Sequence, residues 1–353
     1  MKYEYKDYTN RQARDKTLEM VFELPFYVQT FITGREAKMS ARTQFIYISR
    51  INKFYEYLAE HKFKGKKKED ITLNDLGTLS VEDIEAFTSF VRHGHFSENK
   101  RDNKESTINS YLSALSVFFK YFVSRGKLKF NPVEGIERGR AEKHNVIRLD
   151  ESQKKDFFKC IETGDTLTKQ QKNYHDKNSL RDMAICMTLV RTGLRVSELV
   201  GLNVDDINFD NCSFSVLRKG NKYDSVFFDD STAELLKEYL EYRKELCEGT
   251  KENAVFVVTF GKYKGTRLSV RSVERMVKKY SVYGSTAGSA ISPHKLRATY
   301  ATDMLKATNN ISLVQKALNH ESPTTTMVYA DQRIIDLEKA RNTLDVKKPK
   351  NKN

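Results

Sequence analysis

The chain has 353 residues, of which 39% are hydrophobic and 31% charged, so it is long enough for two domains and apolar enough to fold without disulfides. Its 61 lysines and arginines against 47 acidic residues give a net charge of +14. This excess favours a polyanionic partner, most often nucleic acid, although a merely basic surface is the alternative. The apolar runs are too short for a membrane span, and the four cysteines form no C-x-x-C pair that would indicate a zinc site.

The first part of the chain, residues 1–138, predicts a compact helical domain. In residues 40–60, apolar side chains recur at steps of three and four residues, as they do on one face of a helix, and Ser40 is placed to cap it. The residues of this apolar face are Phe45, Ile48, Ile51, Tyr55 and Leu58.

Two further helices are predicted before the domain ends. One covers residues 79–93, and the other covers residues 106–126, with Ser106 as its cap and Gly126 as its stop. Glycines, a proline and dense charge then interrupt the periodicity, which is typical of an interdomain linker. We place this linker at residues 139–147.

The second part, residues 148–353, predicts a mixture of helices and short strands. A buried helix is expected at 179–193, and alternation at 212–229 predicts a hairpin. The run AVFVVTF at 254–260 predicts a short strand, and a helix follows at 269–281. The expected fold class is therefore mainly α with a small β-sheet.

Four segments of the second part concentrate polar residues in unusual settings. Each has an ordinary explanation alone: a surface ion pair, a solvated lysine at a hairpin tip, or a packed tyrosine. Their order and spacing as a set favour a functional site. The segments are TGLRVSEL with Arg195 and Glu198, RKGNK with Lys219, SPHKLRATY with His294 and Arg297, and HESPTTTMVYA with His320 and Tyr329.

These segments resemble the motifs of tyrosine recombinases, the phage-integrase and Xer family. That family's pattern is TGLRxSEL, a hairpin lysine, HxLRH, LGH and a following tyrosine, and the spacings here match it. The stretches LPFYVQTFITGREAKMSARTQFIYISRINKFYEYL and RKGNKYDSV look most like the single-recombinase Xer proteins of streptococci and relatives. The resemblance implies a helical, SAM-like core-binding domain and an α+β catalytic domain that close on DNA as a C-shaped clamp.

The resemblance also implies a role for each site residue. Tyr329 would attack a DNA phosphate and form a 3′-phosphotyrosine bond, so no ATP, metal or other cofactor is expected. Arg195, Arg297 and His320 would stabilise charge on the phosphate. His294 would accept or position the tyrosine proton, and Lys219 would protonate the departing 5′ oxygen. Glu198 would orient a histidine of the site.

Two positions depart from the family pattern. Ala298 stands where a histidine is usual after the HxLR arginine, which puts a supporting contact in doubt. Asn319 stands where a glycine is usual before the third-motif histidine. Asparagine adopts the left-handed backbone more readily than most residues, so we expect this change to be mild.

The expected function is a site-specific recombinase of the bacterial cytoplasm, acting as a homotetramer on two inverted-repeat DNA sites. The amphipathic segment at 334–344 would dock on the next subunit, or else pack on its own domain. The motifs do not separate Xer-type chromosome dimer resolution, with a possible DNA translocase activator, from mobile-element integration. Less favoured alternatives are a type IB topoisomerase and a DNA-binding protein without catalysis.

Overall fold

The computed structural model describes residues 5–96, 101–140, 148–218, 222–281 and 290–319. The chain divides into two compact units, Met1–His144 and Asn145–Asn353. The division falls inside the predicted linker 139–147, most of which lies outside the described residues, so the exact domain bounds stay a prediction. In the described ranges, no helix combines the length and apolar character needed to cross a membrane.

The first unit is built from helices, as predicted. Short 3₁₀ and π turns connect several of them. The α-helices are α1 (Tyr5–Phe22), α2 (Phe26–Arg35), α3 (Ala41–Tyr57), α4 (Leu73–Gly77), α5 (Val81–Arg92) and α6 (Glu105–Val123).

Helix α3 forms the centre of this unit and packs against α1 and α6. It begins where the sequence predicts, because the Ser40 side chain accepts a hydrogen bond from the Thr43 N–H at 3.1 Å. The predicted apolar face is buried at Ile48, Ile51 and Tyr55. The aromatic side chains of α3 and α6 fill the core, and burying each of them stabilises the unit by about 1.5–3 kcal/mol.

Helix α6 departs from the prediction at its start. The residue before its first turn is Lys104, which makes no capping bond, and Ser106 lies inside the helix instead of at its cap. The first residue of α6, Glu105, accepts a hydrogen bond from Arg92 on α5. At the other end, the helix stops at Val123, three residues before the predicted stop, and Gly126 lies in the turn that follows with a positive φ of 66°.

The second unit combines helices with one small sheet, which confirms the predicted fold class. Its strands are β1 (Ile207–Asn208), β2 (Ser213–Leu217) and β3 (Tyr223–Phe227). Its helices are α7 (Glu151–Thr163), α8 (Lys169–Lys172), α9 (His175–Thr192), α10 (Val196–Gly201), α11 (Asp230–Leu246), α12 (Val270–Lys279), α13 (Pro293–Thr308) and α14 (Ile311–Leu318).

The sheet has the order β1-β2-β3 with antiparallel neighbours, and β2 and β3 form the predicted hairpin. Phe214 pairs with Val226 and Val216 with Asp224. Because side chains alternate between the two faces of a strand, Phe214 and Val216 point together into the core.

The strand predicted at 254–260 does not form. Among the described residues, this segment makes only isolated bridges, between Asn203 and Ala254 and between Val257 and Arg267. Its first four residues, 254–257, are buried, whereas Phe260 is 38% exposed, and Arg243 donates to the Ala254 carbonyl oxygen at 2.6 Å. A short apolar run predicts burial in this way, but it does not show whether a strand or a side chain will satisfy the backbone.

Helix α9 runs through the middle of the second unit, in contact with α7, α11 and α13. Its fully buried Asp182 accepts a hydrogen bond from Arg181 at 2.7 Å. It also accepts hydrogen bonds from Lys279, the last residue of α12, at 3.1 Å and from Tyr280, the next residue, at 2.9 Å. Buried charge is tolerated when it is paired in this way. The network fixes α12 against the central helix.

Candidate functional site

The site begins at the turn that ends α9. Gly193 caps this helix with a φ of 62°, a conformation that glycine adopts without steric cost. A Cβ atom at this position would also overlap the ring of Tyr300 on α13. Geometry therefore requires the glycine of the TGLR motif, which lies in the turn between α9 and α10.

Arg195 lies at the start of α10 and is held there by Glu198. Its backbone N–H donates to Glu198 Oε2 at 2.8 Å, and its guanidinium Nη1 donates to Glu198 Oε1 at 2.8 Å. The arginine side chain remains 38% exposed, whereas that of Glu198 is only 9% exposed. The carboxylate thus fixes the direction of a guanidinium group that solvent still reaches.

A second arginine binds the same carboxylate. Arg218, at the end of β2, donates from Nη1 to Glu198 Oε2 at 2.8 Å, and its side chain is 4% exposed. Burial pushes the pKa of Glu198 upward, but the charge of Arg218 and the hydrogen bonds and charge of Arg195 outweigh burial and hold the pKa below its usual value. Glu198 is therefore ionised at neutral pH.

Arg297 lies on α13, whose first residue is Pro293, and its side chain is buried. Its Nη1 donates to the carbonyl oxygen of Gly193, and its Nη2 donates to the carbonyl oxygen of Leu318 at 2.5 Å. This guanidinium group joins the end of α9 to the end of α14. The HKLR motif therefore contacts both the first and the third motif.

Asn319 ends α14 in the left-handed conformation, with φ 48° and ψ 56°. Asparagine therefore adopts the left-handed backbone here, as expected. The Asn319 carbonyl oxygen accepts a hydrogen bond from Arg195 Nη2 at 3.2 Å. The turn is fixed just before His320.

Arg195 and Arg297 are brought together at this turn. Arg195 donates to the carbonyl oxygen of Asn319, and Arg297 donates to that of the preceding residue, Leu318. Each guanidinium group carries a permanent positive charge, and that of Arg195 is still reached by solvent, so this turn is suited to an anion such as a phosphate. Arg195 and Arg297 form the arginine centre of the unit.

The other predicted site residues stand as follows. His294 is exposed on the first turn of α13, three residues before Arg297, where it shares a face with it. Ala298 is buried at 1% exposure. Lys219, His320 and Tyr329 lie outside the described residues. The catalytic roles of all these residues stay predictions, as does the pairing of Glu198 with a histidine.

Sequence reasoning missed Arg218 and Tyr300. Arg218 had a detectable signal, because it follows Phe214 and Val216 at steps of two and so falls on the buried face of β2. Burial raises the pKa of the Tyr300 hydroxyl, while the charges of Arg297 and Arg218 act against that rise. The Tyr300 ring packs against the Gly193 turn, to which Arg297 also donates.

Two family models match the chain. The phage integrase family model matches residues 148–334, and the phage integrase SAM-like domain model matches residues 24–143.

Curated relatives are similar over much of the length. The tyrosine recombinase XerS of Streptococcus mutans is 30% identical over 94% of this chain and 99% of its own. The tyrosine recombinase XerC of Vibrio cholerae is 33% identical over 69% of this chain and 72% of its own.

Solved structures share the fold at lower identity. A XerH site-specific recombinase bound to a palindromic difH substrate superposes with a TM-score of 0.63 at 21% identity, covering 89% of this chain and 82% of that one. The Tn1549 transposon integrase in complex with a circular intermediate DNA gives 0.61 at 18% identity, covering 88% and 98%.

Proposed function

The chain belongs to the phage integrase family and is a site-specific DNA recombinase of the tyrosine type, and from this premise we propose that Tyr329 cleaves and rejoins DNA strands. One observation carries the proposal: Arg195 and Arg297 converge on the turn that leads into His320. Three separated motifs, TGLR, HKLR and LNH, thereby form one positively charged centre. A phosphodiester is the anion that a DNA strand offers to it.

The reaction we infer is a reversible transesterification. The Tyr329 hydroxyl oxygen bonds to phosphorus while the bond from phosphorus to the 5′ oxygen breaks, which leaves a 3′-phosphotyrosine and a free 5′ hydroxyl. The tyrosine proton passes to His294, and Lys219 supplies a proton to the departing oxygen. Rejoining reverses each step with the 5′ hydroxyl of another strand, and the phosphodiester energy is conserved.

Charge stabilisation is the work of the positive groups. Arg195, Arg297 and His320 would donate to the non-bridging oxygens, whose charge grows in the transition state. A phenol has a pKa of about 10, so Tyr329 also benefits from the same positive field when it loses its proton. These roles extend the resemblance to the residues that lie outside the described ranges.

Double-stranded DNA is the partner that this site requires, and α12 supports the assignment. This helix buries Val273, Met276 and Val277 and exposes a basic face opposite them. The exposed residues of α12 are Arg271, Glu274, Arg275 and Lys278, so three of the four are basic. Since α12 packs against α10 and α13, the basic face belongs to the same part of the unit as the arginine centre and suits a sugar–phosphate backbone.

For the biological role we infer Xer-like chromosome dimer resolution in the bacterial cytoplasm. The similarity to XerS extends over nearly the whole of both chains, which favours this role. We further infer a homotetramer on two inverted-repeat sites, with segment 334–344 docking on the next subunit and a DNA translocase as a possible activator. Integration or excision of a mobile element is the second candidate, favoured by the shared fold of the Tn1549 transposon integrase.

Trapping the covalent intermediate tests the proposal. The protein is incubated with nicked fragments of its source genome and denatured in detergent, and the attached DNA is sequenced. We expect one inverted-repeat site, present once per chromosome for dimer resolution or at the ends of an element for integration. Adducts without sequence preference would indicate a topoisomerase, and binding without any adduct would contradict strand cleavage.

A further inference from the structure

Arg218 shares the carboxylate of Glu198 with Arg195, yet none of the reaction steps above uses it. Building on the proposed function, we propose that Arg218 is a positioning residue for the cleavage reaction. By holding Glu198, it keeps the Arg195 guanidinium group aligned and its positive charge available to the scissile phosphate.

The geometry fixes Arg218 on three sides. Its backbone N–H donates to the Lys222 carbonyl oxygen at 2.8 Å, which closes the base of the hairpin. Its Nη1 binds Glu198 Oε2, and its Nε lies 3.5 Å from Asp224 Oδ2 on β3, an ion-pair distance. A buried arginine held by backbone and side chain is a rigid support.

The carboxylate is held at both oxygens. Glu198 Oε1 accepts from Arg195 Nη1, and Oε2 accepts from the Arg195 backbone N–H and from Arg218. Without Arg218, Oε2 would lose its charged partner and the carboxylate would be drawn fully onto Arg195. The positioned guanidinium group would then turn away from the phosphate.

The charge balance leads to the same conclusion. Arg195 and Arg218 face the carboxylates of Glu198 and Asp224, so the four side chains together carry no net charge. Loss of the Arg218 charge would leave this cluster net negative beside the Arg195 guanidinium group. Charge interactions in a buried setting are screened less than in water, so this excess would oppose binding of an anion.

Single-turnover cleavage of a duplex carrying the recovered site tests the assignment. We expect Arg218→Gln to slow cleavage by about 10- to 100-fold at saturating protein, the range seen when partners that orient metal ligands are removed. DNA affinity should change little. Arg218→Lys should recover part of the rate, because it retains the charge but not the forked geometry.

A second substrate separates Arg218 from its neighbour Lys219. With sulfur in place of the scissile 5′ oxygen, the leaving group is a thiolate, which needs no general acid because a thiol has a pKa of about 8.5. The cleavage defect of Lys219→Ala should disappear on this substrate, whereas that of Arg218→Gln should persist. If Arg218→Gln also recovered on the sulfur substrate, the proposal would be overturned, because Arg218 would then act by positioning Lys219.

Arg243→Gln serves as the matched control. Arg243 is another buried arginine of the same unit, but it binds the backbone carbonyls of Glu252 and Ala254. The Arg243→Gln substitution should lower the melting temperature but should not slow cleavage below that temperature. Equal rates for Arg218→Gln and the wild type, or equal slowing by both variants, would also overturn the proposal. Failure of the wild type itself to cleave would overturn the recombinase function, and this assignment with it.

Discussion

At the scale of single residues, the two arginines of the centre differ in exposure. The Arg195 side chain is 38% exposed, whereas Arg297 is 3% exposed and its guanidinium group binds two backbone carbonyls. We therefore expect Arg195 to be the one that meets a phosphate most directly. Arg297 also holds together the turns on which the site is built.

Replacement of Arg195 by alanine should affect rate more than affinity. Removing one positioned donor to a developing negative charge costs about 10²- to 10³-fold in rate. Many other phosphate contacts would still bind the DNA. Single-turnover cleavage and equilibrium binding, measured on the same duplex, check this, and a loss confined to affinity would contradict the role of Arg195.

Replacement of Gly193 by alanine should destabilise the second unit. The φ of 62° costs an alanine about 1–2 kcal/mol, and the new Cβ atom would also meet the Tyr300 ring. The control is Gly249→Ala in the same unit, which has a φ of 74° and nothing within 4 Å of the added Cβ. Thermal unfolding should show a greater loss for Gly193→Ala by about 1–3 kcal/mol, the range for overpacking. Equal losses would mean that the Tyr300 ring moves aside freely.

At the scale of elements, the sequence predicts best where local chemistry decides. The Ser40 cap of α3, the Gly193 end of α9 and the Asn319 end of α14 follow from residue types that satisfy backbone groups or adopt a left-handed conformation. The prediction that Ser106 caps α6 was wrong because serine is also tolerated in the first turn of a helix. The strand predicted at 254–260 was wrong because Ala254 bridges Asn203 while Val257 bridges Arg267, so no single partner strand runs along the segment.

The candidate site shows the same division. Motif spacing identified Arg195, Glu198 and Arg297, and the structure brings these three together with the turn before His320. The pairing of Glu198 with Arg218 depends on how β2 packs against α10. No local pattern contains that information, although the alternation along β2 indicated that Arg218 points inward.

The pairing of α10 with β2 through Glu198 should make the second unit sensitive to acid. The folded pKa of Glu198 lies below its unfolded value of about 4.3, so the carboxylate stabilises the fold above that value. This stabilisation is lost as the pH falls through the folded pKa. Denaturant unfolding measured from pH 6 downward should show a steeper decline for the wild type than for Glu198→Gln. Parallel curves would contradict the linkage.

At the scale of the whole molecule, the net charge of +14 and the basic face of α12 predict binding dominated by phosphate contacts. Each contact releases condensed cations, so affinity for duplex DNA should fall by about 10³- to 10⁵-fold between roughly 50 and 200 mM salt, if six to ten phosphates are bound. A salt titration of the equilibrium constant checks this. A nearly flat response would contradict extensive contact with the DNA backbone.

The central claim is that the arginine centre presents a DNA phosphate to Tyr329, and peptide mapping of the trapped adduct tests it most directly. Protease digestion and mass spectrometry identify the residue that carries the nucleotide, with Tyr329→Phe and Tyr300→Phe as the paired variants. We predict that the nucleotide is found on Tyr329 and that only Tyr329→Phe abolishes the adduct while still binding DNA. Burial raises the pKa of Tyr300, which makes its hydroxyl harder to deprotonate than that of a free phenol. A nucleotide on Tyr300, or an adduct that survives Tyr329→Phe, would contradict the account.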